Sequence, residues 1–241
     1  MTLLYLIAAI FSMLSLVFSV KKVPRFVTAL QAVTFACAVA PSPCFSITSQ
    51  NKGAPMIFRP ALITDLDAVE RHYTELLTHE AETGRSSTNW SLGVYPTRQT
   101  AAAAQAAGTL WVLERKGQVV ASVILNHHQD DFYADIDWQY PAPPEQVLVV
   151  HTLCIPPSLA GQGLGRECVS RIKQHAAAIG CAAIRLDTWA GNTPAATLYQ
   201  KNGFTLRGSA RVLFQGKIPE ELICLEAPCR PADGTIAADE K

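Results

Sequence analysis

The stretch Leu153-Cys154-Ile155-Pro156-Pro157-Ser158-Leu159-Ala160-Gly161-Gln162-Gly163-Leu164-Gly165-Arg166 decides how the rest of the chain is read. It leaves an apolar strand over residues 147–155, stops it at Pro156-Pro157, and turns through glycines into a helix. That helix carries Leu164, Cys168, Ile172, Ala176 and Ile179 on one face. Glycines at 161, 163 and 165 remove Cβ atoms where strand becomes helix. Backbone N–H groups can then converge on one cavity, and the helix N-terminus adds partial positive charge; together these make a phosphate cradle. Two common cradles are excluded. A dinucleotide fingerprint needs glycine where Arg166 stands, and a P-loop needs Gly-Lys-Ser/Thr, which does not occur. Taken alone, the stretch also fits a tight turn that holds nothing.

Outward from the turn, the pattern mixes helix and strand. Upstream, residues 57–61 read as a strand. Leu66, Val69, Tyr73, Leu76 and Leu77 then recur at helical spacing behind the cap side chains of Thr64 and Asp65. Residues 82–91 read as a polar loop and 97–108 as an alanine-rich helix ended by glycine. Residues 110–113 and 119–125 read as strands joined near Lys116-Gly117. Residues 126–145 form a polar, aromatic, proline-bearing loop, and loops of that length are usually functional. Downstream, Ile184, Leu186 and Thr188 alternate as a strand. Asn192-Thr193-Pro194 opens a short helix that Gly203 closes, and strands near 204–214 and 222–226 follow. The order β-α-α-β-β-β-α-β-α-β-β specifies an α/β domain with a mixed sheet.

With these elements in place, the glycine turn resembles the acyl-CoA pyrophosphate loop of the GCN5-related N-acetyltransferase (GNAT) family. Ala160, Gly163 and Gly165 occupy the marked places of that family's Arg/Gln-x-x-Gly-x-Gly/Ala pattern. Ala160 departs from it, so any help from a long polar side chain there is missing. A second family signature follows at the expected distance: Asp187-Thr188-Trp189-Ala190-Gly191-Asn192, then Ala195, Leu198, Tyr199, Gly203 and Phe204. The resemblance covers residues 56–227 in element order, with its specific motifs between 147 and 204. It implies a single GNAT-like α/β domain over residues 56–230, its twisted, mostly antiparallel sheet flanked by helices. It also implies transfer of an acetyl group from acetyl-CoA to a primary amine of a small molecule or protein, by direct attack and without a metal.

The resemblance implies roles as well. Leu153, Cys154 and Ile155 would bond the pantetheine arm through their backbone. Gly161, Gln162, Gly163, Leu164, Gly165 and Arg166 would hold the pyrophosphate, with Asn192 binding the cofactor from the neighbouring strand end. Tyr199 would protonate the leaving thiolate, although the residue also fits an ordinary core aromatic. The base is open between His151, Asp187 and ordered water. Cys154 lies near the expected thioester, which leaves a thiol relay as an alternative. Trp90, Tyr95, Trp138 and Tyr140 flank loops placed to cover the acceptor, or simply pack those loops. A catalytically weak acyl-CoA-binding sensor or structural module is the rival function. His127-His128 looks like a metal pair, but adjacent strand residues face opposite sides, which favours surface positions.

Composition sets the remaining bounds. The 241 residues carry 20 basic and 20 acidic side chains, which argues against a nucleic-acid partner. Residues 1–55 hold Lys21, Lys22, Arg25 and Lys52 and no acid. They begin with an uncharged apolar run of 18 residues from Leu3 to Val20. This extension reads as a membrane anchor with the domain on the cytoplasmic side, as a secretory signal of the wrong polarity, or as an upstream stretch outside the fold. Seven cysteines with no CxxC pair indicate neither a disulfide framework nor a zinc site, and place the main domain in a reducing, cytoplasmic setting. A homodimer is compatible with the family resemblance, and residues 231–241 read as a frayed polar tail.

Overall fold

The computed structural model describes residues 55–214 and 218–229. The readings placed on the N-terminal extension and on the polar tail lie outside the described residues. Among the described residues no helix is long and apolar enough to cross a membrane.

The chain runs β1 (Met56–Pro60), α1 (Leu66–Thr83), α2 (Arg98–Ala106), β2 (Leu110–Arg115), β3 (Gln118–Asn126), β4 (Val147–Cys154), α3 (Leu164–Ala178), β5 (Ala183–Trp189), α4 (Thr193–Lys201), β6 (Thr205–Phe214) and β7 (Ile218–Pro228). The element order matches the sequence reading. Local chemistry sets the boundaries. Lys116 and Gly117 both take positive φ, the backbone that a tight hairpin between β2 and β3 requires. The Thr97 hydroxyl accepts from the Thr100 N–H and caps α2. Gly84, left-handed at φ 64°, stops α1.

Two bounds differ from the sequence reading. Helix α1 runs on to Thr83, because the Glu80 carboxylate turns inward to accept from the Ser87 N–H and from the Ser87 and Thr88 hydroxyls. Strand β7 starts at Ile218 rather than Leu222, because pairing with β6 from Phe214↔Ile218 onward carries the acidic Glu220 and Glu221 into the ladder. Neither contact has a local sequence signal.

One mixed sheet results, ordered β1-β2-β3-β4-β5-β7-β6, with only the β4–β5 pair parallel. Val69, Tyr73, Ala101 and Ala104 of α1 and α2 pack against Val112, Ile124 and Cys154 on one face. Val169 and Ile172 of α3 and Tyr199 of α4 pack against Leu125, Leu148, Val150, Ile184 and Leu186 on the other. The period-two alternation of the strands builds these two cores.

Two irregularities position the site. Ser122 pairs with Cys154 and Ile124 with His151, so two steps on β3 answer three on β4. The extra residue makes a bulge at Thr152, which sits at φ 50°. A β-branched residue in that region is strained, and the Tyr95 hydroxyl bonds its Oγ1. Just before the bulge, β4 and β5 diverge. They pair only from Val147↔Ala183 to Val149↔Arg185, while β5 stays paired with β7 as far as Trp189↔Leu222. A wedge opens between the two parallel strands.

Candidate active site

The wedge leads into a cavity of about 560 Å³. Val150, His151 and Thr152 of β4 line one lip, and Asp187, Thr188 and Trp189 of β5 the other. Trp90 and Tyr95 reach it from the α1–α2 loop, Asp130 and Phe132 from the β3–β4 loop, and Glu220 from β7. Gly191 leaves room for the Trp189 indole, which occupies the space a Cβ would need.

Strand alternation places Ile184 and Leu186 on the α3 face, so Arg185 and Asp187 face the opposite side. Asp187 Oδ2 accepts from the Tyr133 hydroxyl at 2.8 Å. Burial pushes its carboxyl up to about 6, against that hydrogen bond, and the charges of Asp130 and Glu220 add to the rise. His151 faces the same cavity. Burial holds its imidazole below the ordinary range, which leaves it neutral at pH 7. Its Nε2 lies 3.1 Å from Asn126 Oδ1, an oxygen that also accepts from the His128 N–H. Nε2 is therefore the donor, and the lone pair sits on Nδ1.

Tyr199 lies on the other face of the sheet. Its ring packs against Phe204 with centroids 5.3 Å apart, and among the described residues its hydroxyl has no protein hydrogen bond. Burial raises the phenol well above its usual value, so it keeps its proton at neutral pH. Asp187 and Tyr199 thus stand on opposite sides of the sheet, Asp187 lining the cavity and Tyr199 packed in the core against α3 and outside the residues that line the cavity.

The glycine turn forms a groove of about 380 Å³ lined by Ile155, Ala160, Gly161, Gly163, Gly165 and Leu198 among others. None of the backbone N–H groups from Gly161 to Arg166 has a protein acceptor among the described residues. Six consecutive donors at a helix start are a fit for a diphosphate. The three glycines are not equivalent, however. Gly161 and Gly163 take φ of 74° and 79°, whereas Gly165 is helical and its missing Cβ makes room for Leu198, whose Cδ2 would lie 3.0 Å away. Gly165 therefore has a second use: it lines the groove and also allows the α3–α4 contact.

Several sequence candidates stand elsewhere. The Gln162 amide oxygen accepts from Arg115 at 2.8 Å, which draws that side chain to the β2 end. Asn192 caps α4, accepting from the Ala195 N–H and donating to Thr188 Oγ1, and it also lines the cavity. Trp138 and Tyr140 do not line the cavity. The Trp138 ring lies under the Arg185 guanidinium at 4.4 Å, and the Tyr140 carbonyl accepts from the same guanidinium. A buried cation holds both away from the cavity. Cys154 is fully buried toward α1 and its thiol is pushed up to about 12, which removes the thiolate a relay needs. His127 and His128 are exposed, and no metal-holding group occurs among the described residues. Sequence reasoning missed Glu220 and Thr152. Asp130, Phe132 and Tyr133 had one signal, the length of the loop that carries them.

The sequence of residues 71–204 matches the acetyltransferase (GNAT) family. No curated protein matches the chain. Among solved structures, a GNAT-family acetyltransferase from Streptococcus agalactiae is 19% identical with a TM-score of 0.62, over 73% of this chain and 96% of that one. A Salmonella typhimurium protein solved with its cofactor acetyl-CoA is 19% identical with a TM-score of 0.52, over 76% of this chain and 98% of that one. The ribosomal-protein-S18-alanine N-acetyltransferase of Escherichia coli is 18% identical with a TM-score of 0.51, over 76% of this chain and 99% of that one. On the family match, which spans more than half its length, the chain belongs to the GNAT acetyltransferases, enzymes that take their acyl group from acetyl-CoA.

Proposed function

We propose that this enzyme acetylates a primary amine by direct attack, with Asp187 as general base and Tyr199 as general acid. The observation that carries the reading is the wedge, which sets a raised carboxyl on one face of the sheet and a protonated phenol on the other. Acetyl-CoA supplies the activated acetyl group as a thioester. The Gly161–Arg166 amides would hold its diphosphate, and the end of β4 at Leu153–Cys154 with the following Ile155, on the side that β5 leaves unpaired, its pantetheine arm.

In the balanced step, an ammonium in the cavity loses a proton to Asp187, and the neutral nitrogen attacks the thioester carbonyl carbon. A C–N bond forms and the C–S bond breaks. Tyr199 donates its proton to the departing sulfur, the acylated nitrogen sheds its second proton, which returns to the phenolate through solvent, and the products are the acetamide and free thiol. An N–H on the bulged edge of β4 would steady the oxyanion. Neutral His151 would orient the amine through Nδ1. Release of thiol from acetyl-CoA by the purified full chain across an amine panel tests the reading, and no release with any amine would defeat it.

Two expected results follow from the cradle and the acid. Tyr199→Phe keeps the ring packing and removes the proton, so kcat should fall about 10²-fold while acetyl-CoA affinity stays unchanged by calorimetry. Gly163→Val should weaken acetyl-CoA binding about tenfold. The cause is strain, not a clash, since nothing lies within 4 Å of its Cβ position but valine is disfavoured at φ 79°.

A further inference from the structure

The cavity carries one sign of charge. Asp130, Asp131, Asp187 and Glu220 line it, and among the described residues no lysine or arginine side chain does. Glu220 is the informative member, because it is only 9% exposed. Its Oε1 accepts from Asn89 Nδ2 at 3.3 Å, and its Oε2 has no protein donor among the described residues. That unpaired oxygen opens on the cavity, where a cation can reach it, and a largely buried carboxylate with one long neutral hydrogen bond gains from such a partner. Asp187 cannot share its counter-charge with Glu220 throughout the reaction, since the reacting nitrogen must be neutral to attack. Trp90, Phe132 and Trp189 supply aromatic walls between the carboxylates, a lining that suits methylenes and an ammonium group.

We propose that the acceptor is a small amine bearing a second positive charge, an aliphatic diamine in the simplest case, whose non-reacting ammonium pairs with Glu220. This rests on the reading above that the cavity receives the acceptor. Asp130 and Asp131, both exposed, face the incoming dication and draw it in. The same charges disfavour any amine that carries a carboxylate, phosphate or phosphinate, because the cavity offers such a group repulsion and no cationic partner.

The test compares 1,4-diaminobutane, 1-aminobutane and 4-aminobutanoate with the full-length enzyme, reading thiol release from acetyl-CoA. The kcat/KM should be about tenfold or more higher for the diamine than for the monoamine, the worth of one desolvated ion pair, and lowest for the amino acid. Glu220→Gln should collapse the diamine-to-monoamine ratio toward one. Turnover of 4-aminobutanoate equal to the diamine, or a ratio that Glu220→Gln leaves in place, overturns the inference while leaving the transferase reading intact. Thiol release from none of the three bears on the transferase reading instead. In that case calorimetric titration of the CoA-saturated enzyme still decides the inference. Tighter binding of the diamine than the monoamine, lost in Glu220→Gln, supports it, and equal or absent binding overturns it.

Discussion

Asp187→Asn should make the enzyme both far slower and more stable. Loss of the base should lower kcat/KM about 10²–10³-fold. It should also abolish the acid limb of the wild-type pH profile, where activity falls as pH drops through about 6 and Asp187 takes up its proton. Stability moves the other way. The folded carboxyl titrates at about 6, above its ordinary value. Between the unfolded and folded values the folded chain therefore binds more protons, and stability declines as pH rises through that window. Above it the full cost of holding the charge remains, of order 1–3 kcal/mol. Asparagine removes the charge and keeps an oxygen for the Tyr133 hydroxyl, so the melting temperature at pH 7–8 should rise by several degrees. Melting curves across pH 4–8 check the sign. If His151→Gln rather than Asp187→Asn erases the acid limb, the base is the histidine.

Glu226→Ala should be the most destabilising single change among those considered. Glu226 is fully buried, and its Oε1 lies 3.0 Å from the Nε of Arg185, itself only 6% exposed at the side chain. Oε2 accepts the backbone N–H groups of Gln139 and Tyr140, at 2.7 and 3.2 Å. Arg185 also donates to Gln129 and to the Tyr140 carbonyl and stacks on Trp138. Removing the carboxylate strands a buried cation and two amides, at a cost of about 3–5 kcal/mol. A lower denaturant midpoint with an unchanged slope would show it. The pair also anchors the 126–146 loop that supplies Asp130, Phe132 and Tyr133 to the site. A double Arg185→Met, Glu226→Met variant should recover much of the stability, since no charge is left unpaired. Its KM for the amine should nevertheless stay raised, because the loop has lost its tether. Recovery of both would mean that the pair has no positioning role.

Much of this molecule is readable along the chain because its signals are local. Helical spacing from Leu66 to Leu77, alternation through Ile184, Leu186 and Thr188, and the hairpin at Lys116-Gly117 each set an element within a few residues, and the observed order follows. The glycine turn is legible for the same reason, since positive φ at Gly161 and Gly163 and free amides at a helix start are properties of one short segment. The second use of Gly165 is not legible there, because its cause, Leu198, is 33 residues away in sequence and meets it only when α3 packs on α4.

By itself, then, the sequence determined the element order, the glycine turn and the second family signature, which carries Asp187 and Tyr199. Only the tertiary structure decided how these are used. The bulge at Thr152 and the early end of β4–β5 pairing depend on register between strands. The buried Arg185 claimed Trp138 and Tyr140, aromatic residues whose place in the loop fits either acceptor contact or loop packing. Glu220, outside the strand read at 222–226, became a buried carboxyl lining the cavity. Spacing along a chain fixes which face a side chain takes within its own element, whereas desolvation and the field from neighbouring charges arise only when distant segments close around it.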